Sequence, residues 1–422
     1  MRKKLAAAMA AAMMATTALG GMTVSAGEQQ EIVIWTFVQT HADYFEWVTS
    51  EYEKLHPEVT FTIEVMENVA LQDRMIVVNS SGGEESPDLV DIEQNAFSRY
   101  MTEETMMFQP LNELMERDGI LDKIVEARLQ LYSWNDNYYG LEHALCPVTM
   151  AYRQDLFEEY GIEVPTTWEE YKAAAAAFAE HDIYMGGVRD MSIEMPNELR
   201  ALLIASGEDY IGEDGTVNIT DDFKSVTEDY RDLQNDGMFY TYETDEEMWA
   251  MMAENKIATY FAADWAAGWL RDNVPEQSGK WKMAPYPKYK EDSSAVGVSG
   301  GTGLCMSKYS NADQETLWDF MKFAMVDKDN CVKRYELVSL YPPVYEAMEE
   351  CNTPIEYYGG QNLGELWQSL AEEIPAQRQA DWKTTFMETF SMNAFDYMEG
   401  NIDTDEFCVL ITEAVDDFNA SK

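Results

Sequence analysis

The residue types most able to bind a ligand occur where Asp264 and Trp265 follow a short apolar segment. Residues 257–261 are apolar and partly β-branched or aromatic, which favours a buried strand. Asp264 can accept hydrogen bonds from the free N–H groups of a following helix, so we expect it to be the N-cap. In open α/β sheets, ligands bind beyond the carboxyl ends of the strands. Trp265 is therefore predicted to offer a flat ring to a ligand, with Asp264 beside it; the alternatives are core packing for Trp265 and capping alone for Asp264.

Two further predicted strand ends carry side chains suited to binding. Trp35 and Gln39 follow the first strand of the chain, and Glu93, Gln94 and Asn95 follow a later one. Because the carboxyl ends of parallel strands meet at one edge of a sheet, these side chains are expected at the same rim. The alternative for the three polar residues of the later strand is a solvated loop.

Catalytic and metal-binding patterns are weak by comparison. Residues 297–301 match G-x-S-x-G, the nucleophile elbow of α/β hydrolases, but that fold needs a His after the Ser and none follows His181. The four His residues show no H-x-x-x-H spacing. Two Asp-x-Asp segments begin like calcium loops but continue with Cys331 and Phe407 at the third ligand position. We therefore expect no catalytic residues, no metal site and no cofactor.

The elements that would position the candidate residues alternate between strands and helices. We predict strands at residues 32–36, 60–65 and 87–92, separated by helices at 44–56 and 71–79. That order indicates a parallel sheet with right-handed crossover connections. Further predicted elements are helices at 168–178, 223–233, 317–325 and 406–418 and extended segments at 281–287 and 304–307.

Length and composition limit the possible classes of protein. A chain of 422 residues is long for one core, so two lobes are expected. The net charge of −49 disfavours nucleic acid and anionic membrane surfaces, both of which bind basic patches. Five widely spaced Cys residues without C-x-x-C argue against a zinc or thioredoxin motif.

The N-terminus has the features of an export signal. A basic region at residues 2–4 precedes an apolar segment at 5–19, and a small-residue cleavage site lies at 24–26. We therefore predict a signal peptide over residues 1–26. A lipobox-like segment carries Met22 where the lipidated Cys would stand, so the exported chain is expected in the periplasm, at the cell surface or secreted.

Several segments, taken in order, resemble a known family. They include a "PD" strand at 86–90, YRQDLF at 152–157, PTTW at 165–168 and APYP at 284–287. From about Ile32 onwards this ordered set resembles family 1 extracellular solute-binding proteins, the maltose-binding-protein-like sugar receptors of ABC importers. The sequence departs from the family pattern by having Arg153 for the usual Asn and Asn255 for the usual Gly.

The resemblance implies an α/β, two-lobed periplasmic-binding-protein-like fold of type II. Each lobe would be a mixed or parallel sheet flanked by helices, with the ligand in the interlobe cleft. Strand–loop transitions place the crossings between lobes near Ala144, Phe261 and Gly303. The predicted division is 27–144 plus 262–303 for lobe 1, and 145–261 plus 304–422 for lobe 2.

The same resemblance implies an extracytoplasmic receptor that is not an enzyme. It would bind a carbohydrate, expected to be an oligosaccharide, and deliver it as a monomer to the permease subunits of an ABC importer. Two alternatives stay open. One is a non-sugar solute, such as a polyamine or a glycerol phosphate ester. The other is a secreted carbohydrate-active hydrolase, which would need two facing carboxylates among the 78 acidic residues.

A sugar ligand needs aromatic rings for its C–H faces and fixed polar groups for its hydroxyls. Further candidates lie near the predicted crossings: Glu142, His143, Gly300, Gly301 and Thr302. Others lie in segments that resemble oligosaccharide receptors: Tyr341, Tyr358 and Gln361. The alternatives are a structural imidazole for His143 and a plain hinge loop for the glycines, and Trp382 is a further ring without an assigned place.

Overall fold

The computed structural model describes residues 29–193 and 195–422. The predicted signal peptide, residues 1–26, and the lipobox position Met22 lie outside these ranges. Within them, every helix is too short or too polar to cross a membrane.

Strands and short helices alternate through most of the described chain. The strands are β1 (Gln30–Thr36), β2 (Val59–Val65), β3 (Leu89–Glu93), β4 (Ser133–Trp134), β5 (Asn137–Tyr138), β6 (Gly140–Glu142), β7 (Pro147–Arg153), β8 (Gly187–Arg189), β9 (Tyr240–Tyr242), β10 (Thr259–Ala262), β11 (Trp281–Ala284), β12 (Gly297–Val298) and β13 (Thr302–Met306). The helices are α1 (Gln39–Leu55), α2 (Asn68–Ser80), α3 (Gln94–Phe97), α4 (Asn112–Asp118), α5 (Glu126–Leu129), α6 (Gln154–Tyr160), α7 (Trp168–Ala179), α8 (Asn197–Ser206), α9 (Asp221–Asn235), α10 (Asp245–Ala253), α11 (Asp264–Asn273), α12 (Gln314–Met325), α13 (Lys328–Val338), α14 (Tyr345–Met348), α15 (Leu363–Leu370), α16 (Lys383–Met398) and α17 (Thr404–Ala420).

Lobe 1 is built on a five-stranded sheet in the order β2-β1-β3-β13-β6. β1 runs parallel to β2 and β3, whereas β13 is antiparallel to β3 and β6. Helix α1 packs on this sheet because Tyr44, Phe45, Val48 and Tyr52 repeat at helical spacing and are buried. Helices α12 and α13 pack beside α1.

Lobe 2 is built on an antiparallel sheet in which β7 pairs with β10, β11 and β12. Helices α7, α8, α9, α16 and α17 contribute to its core. Helix α9 begins where the Thr220 hydroxyl accepts the Phe223 N–H, and it buries Phe223, Val226, Tyr230 and Leu233. This apolar spacing is the one from which the helix was predicted.

The structure confirms the predicted strands and helices and corrects one helix boundary. Ala263, not Asp264, is the N-cap of α11, and Asp264 is the first helical residue. Its carboxylate still accepts a hydrogen bond from the free N–H of Trp265 in the first turn.

From the strand pairing we infer a division into lobes that differs from the predicted one. The chain crosses after β6 and again between β12 and β13, close to the predicted points at Ala144 and Gly303. Phe261, however, lies inside β10, and β11 pairs with β7, so residues 262–298 stay in lobe 2. The remaining crossing follows α14, because α12 and α13 pack on α1 of lobe 1, whereas α16 and α17 belong to the lobe 2 core. Pairing between strands over a hundred residues apart leaves no local periodicity by which to predict it.

All five cysteines are buried as free thiols. Burial raises the pKa of each thiol, to about 11 at Cys331 and Cys408 and to about 12 at Cys351. The described chain therefore reaches its fold without a disulfide.

Candidate functional site

A cavity of about 290 Å³, lined by many polar and charged residues, lies between the two lobes. Gln94 and Asn95 reach it from lobe 1, at the start of the short helix α3 that follows β3. Arg200 on α8 and Lys383 on α16 reach it from lobe 2. Gly300, on the crossing between β12 and β13, completes the wall, so both lobes and one of their connections share this site.

The central cavity lies beside two further spaces that share part of its lining. Asn197 at the start of α8 lines the central cavity, a second cavity of about 160 Å³ and a third of about 580 Å³. The second cavity is aromatic, because Trp265, Trp269, Tyr242 and Tyr260 line it. The cleft thus combines a polar centre with an aromatic pocket.

Several buried polar atoms in this cleft lack a hydrogen-bond partner among the described residues. They are Gln94 Oε1, Arg200 Nη1, Gln377 Oε1 and Glu198 Oε2. A buried polar group without a partner costs about 1–3 kcal/mol. The set contains both donors and acceptors, which suits a ligand that itself carries both.

Trp265 is fixed at the first turn of α11 by its neighbours. Its indole Nε1–H donates to the Ser299 carbonyl at 3.0 Å, and the Trp269 ring meets it edge-on at 4.8 Å between centroids. Trp269, four residues later on the same helix, is 41% exposed. Gly300 has φ +82°, and a Cβ there would lie 3.1 Å from Trp265 Nε1, so glycine suits both the backbone and this close approach.

Charged side chains balance one another at the centre of the cleft. Lys383 is buried, and burial lowers its pKa to about 8 although nearby Glu93 acts in the opposite direction. The Glu93 carboxylate caps α3 by accepting the Asn95 and Ala96 N–H groups. Burial raises the pKa of Glu93, whereas Arg200 and Lys383 act to lower it. Glu93 therefore supports the wall of the cavity.

The predicted residue Glu142 joins the two neighbouring crossings. Its carboxylate accepts from Arg128 Nη2 at 2.9 Å, the Tyr132 hydroxyl at 3.0 Å, the Thr302 N–H at 2.8 Å and the His143 N–H at 3.0 Å. Glu142 and Thr302 thus tie the two crossings together beside the cleft.

The predicted residues Gly301 and Asp264 also lie beside these crossings. Gly301 has φ +150°, and a Cβ there would come within 2.7 Å of Arg128 Nη2. Asp264 is fully buried, and burial raises its pKa to about 7. Its carboxylate faces the backbone of the crossing, where the Cys146 N–H approaches it at 3.4 Å.

His143 belongs to a buried cluster that also contains His41 and Asp91, whose ligand atoms lie within 4.8 Å of one another. Such a donor set could hold a metal ion. The Asp91 carboxylate accepts a hydrogen bond from the Thr36 hydroxyl at 2.7 Å. It also lies within hydrogen-bond distance of His41 Nδ1, at 3.0 Å, and of His143 Nε2, at 2.7 Å. Burial alone would raise the pKa of Asp91, but the two imidazoles lower it, while burial lowers the pKa of His143 to about 4. We therefore interpret the cluster as a carboxylate that is held by one hydroxyl and two imidazoles and braces the crossing.

Two predicted residues near the first strand lie apart from the cavities. Trp35 is buried in the core of lobe 1, where the Arg74 guanidinium covers its ring at 3.8 Å. Alternation along β1 directs this ring into the sheet's own core. Gln39 is exposed, and its amide donates to Asp43 at 2.7 Å.

The later aromatic and amide candidates form hydrogen bonds to backbone groups of the protein. The Tyr341 hydroxyl donates to the Gly364 carbonyl at 3.0 Å, and the Tyr358 hydroxyl donates to the Ala267 carbonyl at 2.7 Å. The Gln361 amide pairs with both backbone groups of Met283 on β11. Trp382 is buried in lobe 2 and donates to the Gly215 carbonyl at 2.8 Å.

Sequence reasoning missed the residues that line lobe 2. Asn197 and Arg200 are one turn apart on α8, directly after Pro196, and that pattern could have indicated a polar helix start. Trp269 lies four residues after Trp265 and therefore on the same helix face. Lys383 gave no local signal, because its position in the cleft depends on how α16 docks.

A two-lobed α/β fold with a polar cleft between the lobes defines a solute-binding protein. The sequence profile of the bacterial extracellular solute-binding protein family matches residues 47–357. The chain belongs to this family.

Curated relatives cover most of the chain. The arabinooligosaccharide-binding protein of Halalkalibacterium halodurans is 24% identical over 386 residues, which is 86% of this chain and 84% of the relative. The lactose-binding protein of Rhizobium radiobacter is 22% identical over 380 residues, covering 86% and 87% of the two chains.

Solved structures share the fold over nearly the whole length. The galacto-N-biose-/lacto-N-biose I-binding protein of the ABC transporter from Bifidobacterium longum superposes with a TM-score of 0.77 at 18% identity, covering 94% of this chain and 98% of that one. The GacH receptor of Streptomyces glaucescens gives a TM-score of 0.74 at 16% identity, covering 92% and 97%. These similarities establish the predicted two-lobed fold.

Proposed function

We propose that this protein is the extracytoplasmic receptor of an ABC importer and binds an oligosaccharide between its lobes. One observation carries the proposal: the interlobe cleft joins buried, unpartnered polar atoms to an aromatic pocket containing Trp265 and Trp269. A sugar presents flat C–H faces and a rim of hydroxyls that donate and accept. The relatives named for arabinooligosaccharide and lactose support the same class of ligand.

Binding would favour the closed arrangement of the lobes. Gln94 and Asn95 approach the ligand from lobe 1, while Arg200 and Lys383 approach it from lobe 2. A ligand that contacts both walls stabilises the arrangement in which both are within reach. The closed receptor would be exported, act as a monomer and pass the sugar to membrane permease subunits without cutting it.

Side chains of both signs line the cleft, so its charge does not separate a sugar from a charged solute. Arg200, Arg378 and Lys383 line the central cavity together with Glu208 and Asp209. A neutral sugar can exchange hydrogen bonds with groups of either sign. A polyamine and a glycerol phosphate ester therefore remain the alternatives to be tested.

A thermal-shift screen of residues 27–422 tests the proposal. The panel contains neutral oligosaccharides, monosaccharides, polyamines and glycerol phosphates, because a ligand specific for the folded state raises the melting temperature. We expect a rise with one family of oligosaccharides, and chromatography should recover the sugar intact. Shifts with polyamines or phosphates alone would refute the sugar assignment, and recovery of shortened sugar would indicate a hydrolase.

A further inference from the structure

The interlobe cleft extends beyond the central cavity at the end away from Trp265. A groove of about 880 Å³ shares Ala376, Gln377 and Arg378 with the central cavity, so the two spaces are adjacent. Lobe 1 contributes one wall through the β4–β5 hairpin. Lobe 2 contributes the other through residues 211–215 and 376–379.

The hairpin holds a tryptophan at this end of the cleft. Asn135 and Asp136 form the turn with φ +49° and +59°, which matches the two-residue turns that suit a tight hairpin. The Tyr138 N–H donates to Asn112 Oδ1 at 2.8 Å, which ties the hairpin to α4. Trp134 lines the groove, half-buried, and packs against the core of lobe 1. Trp134 therefore lies between the core of lobe 1 and the groove.

The opposite wall offers polar groups that the described residues do not satisfy. Gln377 Oε1 and Gln379 Nε2 are buried without a hydrogen-bond partner in the described chain. Arg378, between them, lies 3.6 Å from Asp209 and 3.5 Å from Glu213, so its guanidinium is already engaged. The two glutamines leave one acceptor and one donor available to a ligand.

Resting on the proposed function, we propose that this groove is a distal subsite for a sugar unit and that the receptor selects linear oligosaccharides by chain length. Trp134 supplies a ring for stacking, and Gln377 and Gln379 supply hydrogen bonds from the other lobe. A short sugar bound at Trp265 and Arg200 leaves the distal subsite empty. A longer chain fills it and gains contacts from both lobes, which adds affinity and favours closure.

Isothermal titration calorimetry with linear arabinooligosaccharides from disaccharide to hexasaccharide tests this proposal. Affinity should rise by about tenfold or more as the chain grows long enough to reach Trp134, and then level off. Trp134→Ala should weaken binding of the longest chain by roughly 5- to 100-fold and leave disaccharide affinity within about twofold. Gln379→Ala, on the other wall, also removes the acceptor of Lys383 Nζ, so it should weaken binding at every length but weaken the longest chain most.

Trp47→Ala is the matched control, because Trp47 is a half-buried tryptophan of lobe 1 on α1 that lines neither the central cavity nor the groove. Each variant is first melted to verify folding, and Gln379→Ala carries the test if Trp134→Ala does not fold. Equal affinity for all chain lengths, or an equal loss at all lengths in both variants, would overturn the distal subsite but keep the sugar receptor. No binding of any carbohydrate in the screen would instead overturn the proposed function.

Discussion

Trp265 is the single residue on which the proposed sugar contact most depends. Replacing it with Ala removes the ring that lines the aromatic pocket and should weaken oligosaccharide binding by about 1–3 kcal/mol. Trp265→Phe loses the indole N–H that donates to the Ser299 carbonyl but keeps an aromatic ring. It should therefore lose less affinity than Trp265→Ala. Calorimetry of both variants decides the matter, and unchanged affinity in the Ala variant would remove Trp265 from the site.

His143 should make stability fall in acid. Burial lowers its pKa from 6.5 to about 4, so between these values the unfolded chain binds a proton that the folded chain does not. Stability therefore decreases as the pH falls from about 6.5 to 4, by on the order of 2 kcal/mol. In His143→Gln this part of the pH dependence should be lost, as measured by urea unfolding across the range. His181→Gln, at an exposed site, is the control, and identical slopes in both variants would contradict the assignment.

Asp264 should change the pH dependence of stability in the direction opposite to His143. Burial raises its pKa from 3.8 to about 7, so the folded chain holds a proton that the unfolded chain has released. Its contribution to stability is present at low pH and is lost as the pH rises through about 7. Asp264→Asn should therefore gain stability relative to the parent between pH 5 and pH 8. A constant difference between the two unfolding curves over this range would argue against a buried, protonated carboxyl.

Among the connecting elements, the β12–β13 crossing has the least room for change. Gly301→Ala would place a Cβ 2.7 Å from Arg128 Nη2 and 2.9 Å from Glu142 Oε2, at φ +150°. We expect a loss of about 1–3 kcal/mol in the free energy of unfolding, because backbone strain adds to the clash. Gly119→Ala is the control, since that glycine also has positive φ but a Cβ added there would have no neighbour within 4 Å beyond the adjoining backbone. Equal losses in the two variants would mean that the Arg128–Glu142 contact does not constrain the crossing.

Individual elements were predictable to the extent that their signals are local. Helices α1 and α9 could be predicted because their buried residues repeat within a few turns of one helix. The pairing of β11 with β7 could not, since the two strands are far apart in sequence and neither encodes its partner. That gap explains why the predicted crossing near Phe261 differs from the division that we infer from the strand pairing.

At the scale of the whole molecule, ligand binding should bring the lobes together. The central cavity draws its lining from both lobes, so an oligosaccharide in it favours the closed form. Small-angle scattering should show a smaller radius of gyration with ligand than without. The Arg200→Ala variant loses one side chain that lines the central cavity. It should therefore require a higher sugar concentration for the same decrease in the radius of gyration. A radius independent of ligand would contradict closure on binding.

The residues that line the cleft could be predicted only in part from the sequence, because some of them depend on how the whole molecule packs. Of the predicted residues, Gln94, Asn95, Trp265 and Gly300 line the cavities, because strand ends and glycine loops mark where α/β ligands bind. Lys383 could not be predicted, since its place in the cleft depends on the docking of helices from both lobes. Trp35 and Tyr341 are buried in the cores instead, and a buried aromatic residue has the same sequence signature whether it serves a core or a ligand.

The buried cysteines have a practical consequence for studying this motion. With every native thiol inside the fold and its pKa raised, a maleimide dye at neutral pH should react slowly with the parent protein. A single cysteine introduced at the exposed tip of the hairpin, at Asp136, would then be labelled selectively. A fluorophore on that tip faces the opposing lobe across the groove, so its emission could report cargo in real time. One introduced cysteine would therefore suffice to convert the protein into a fluorescent sensor of its ligand.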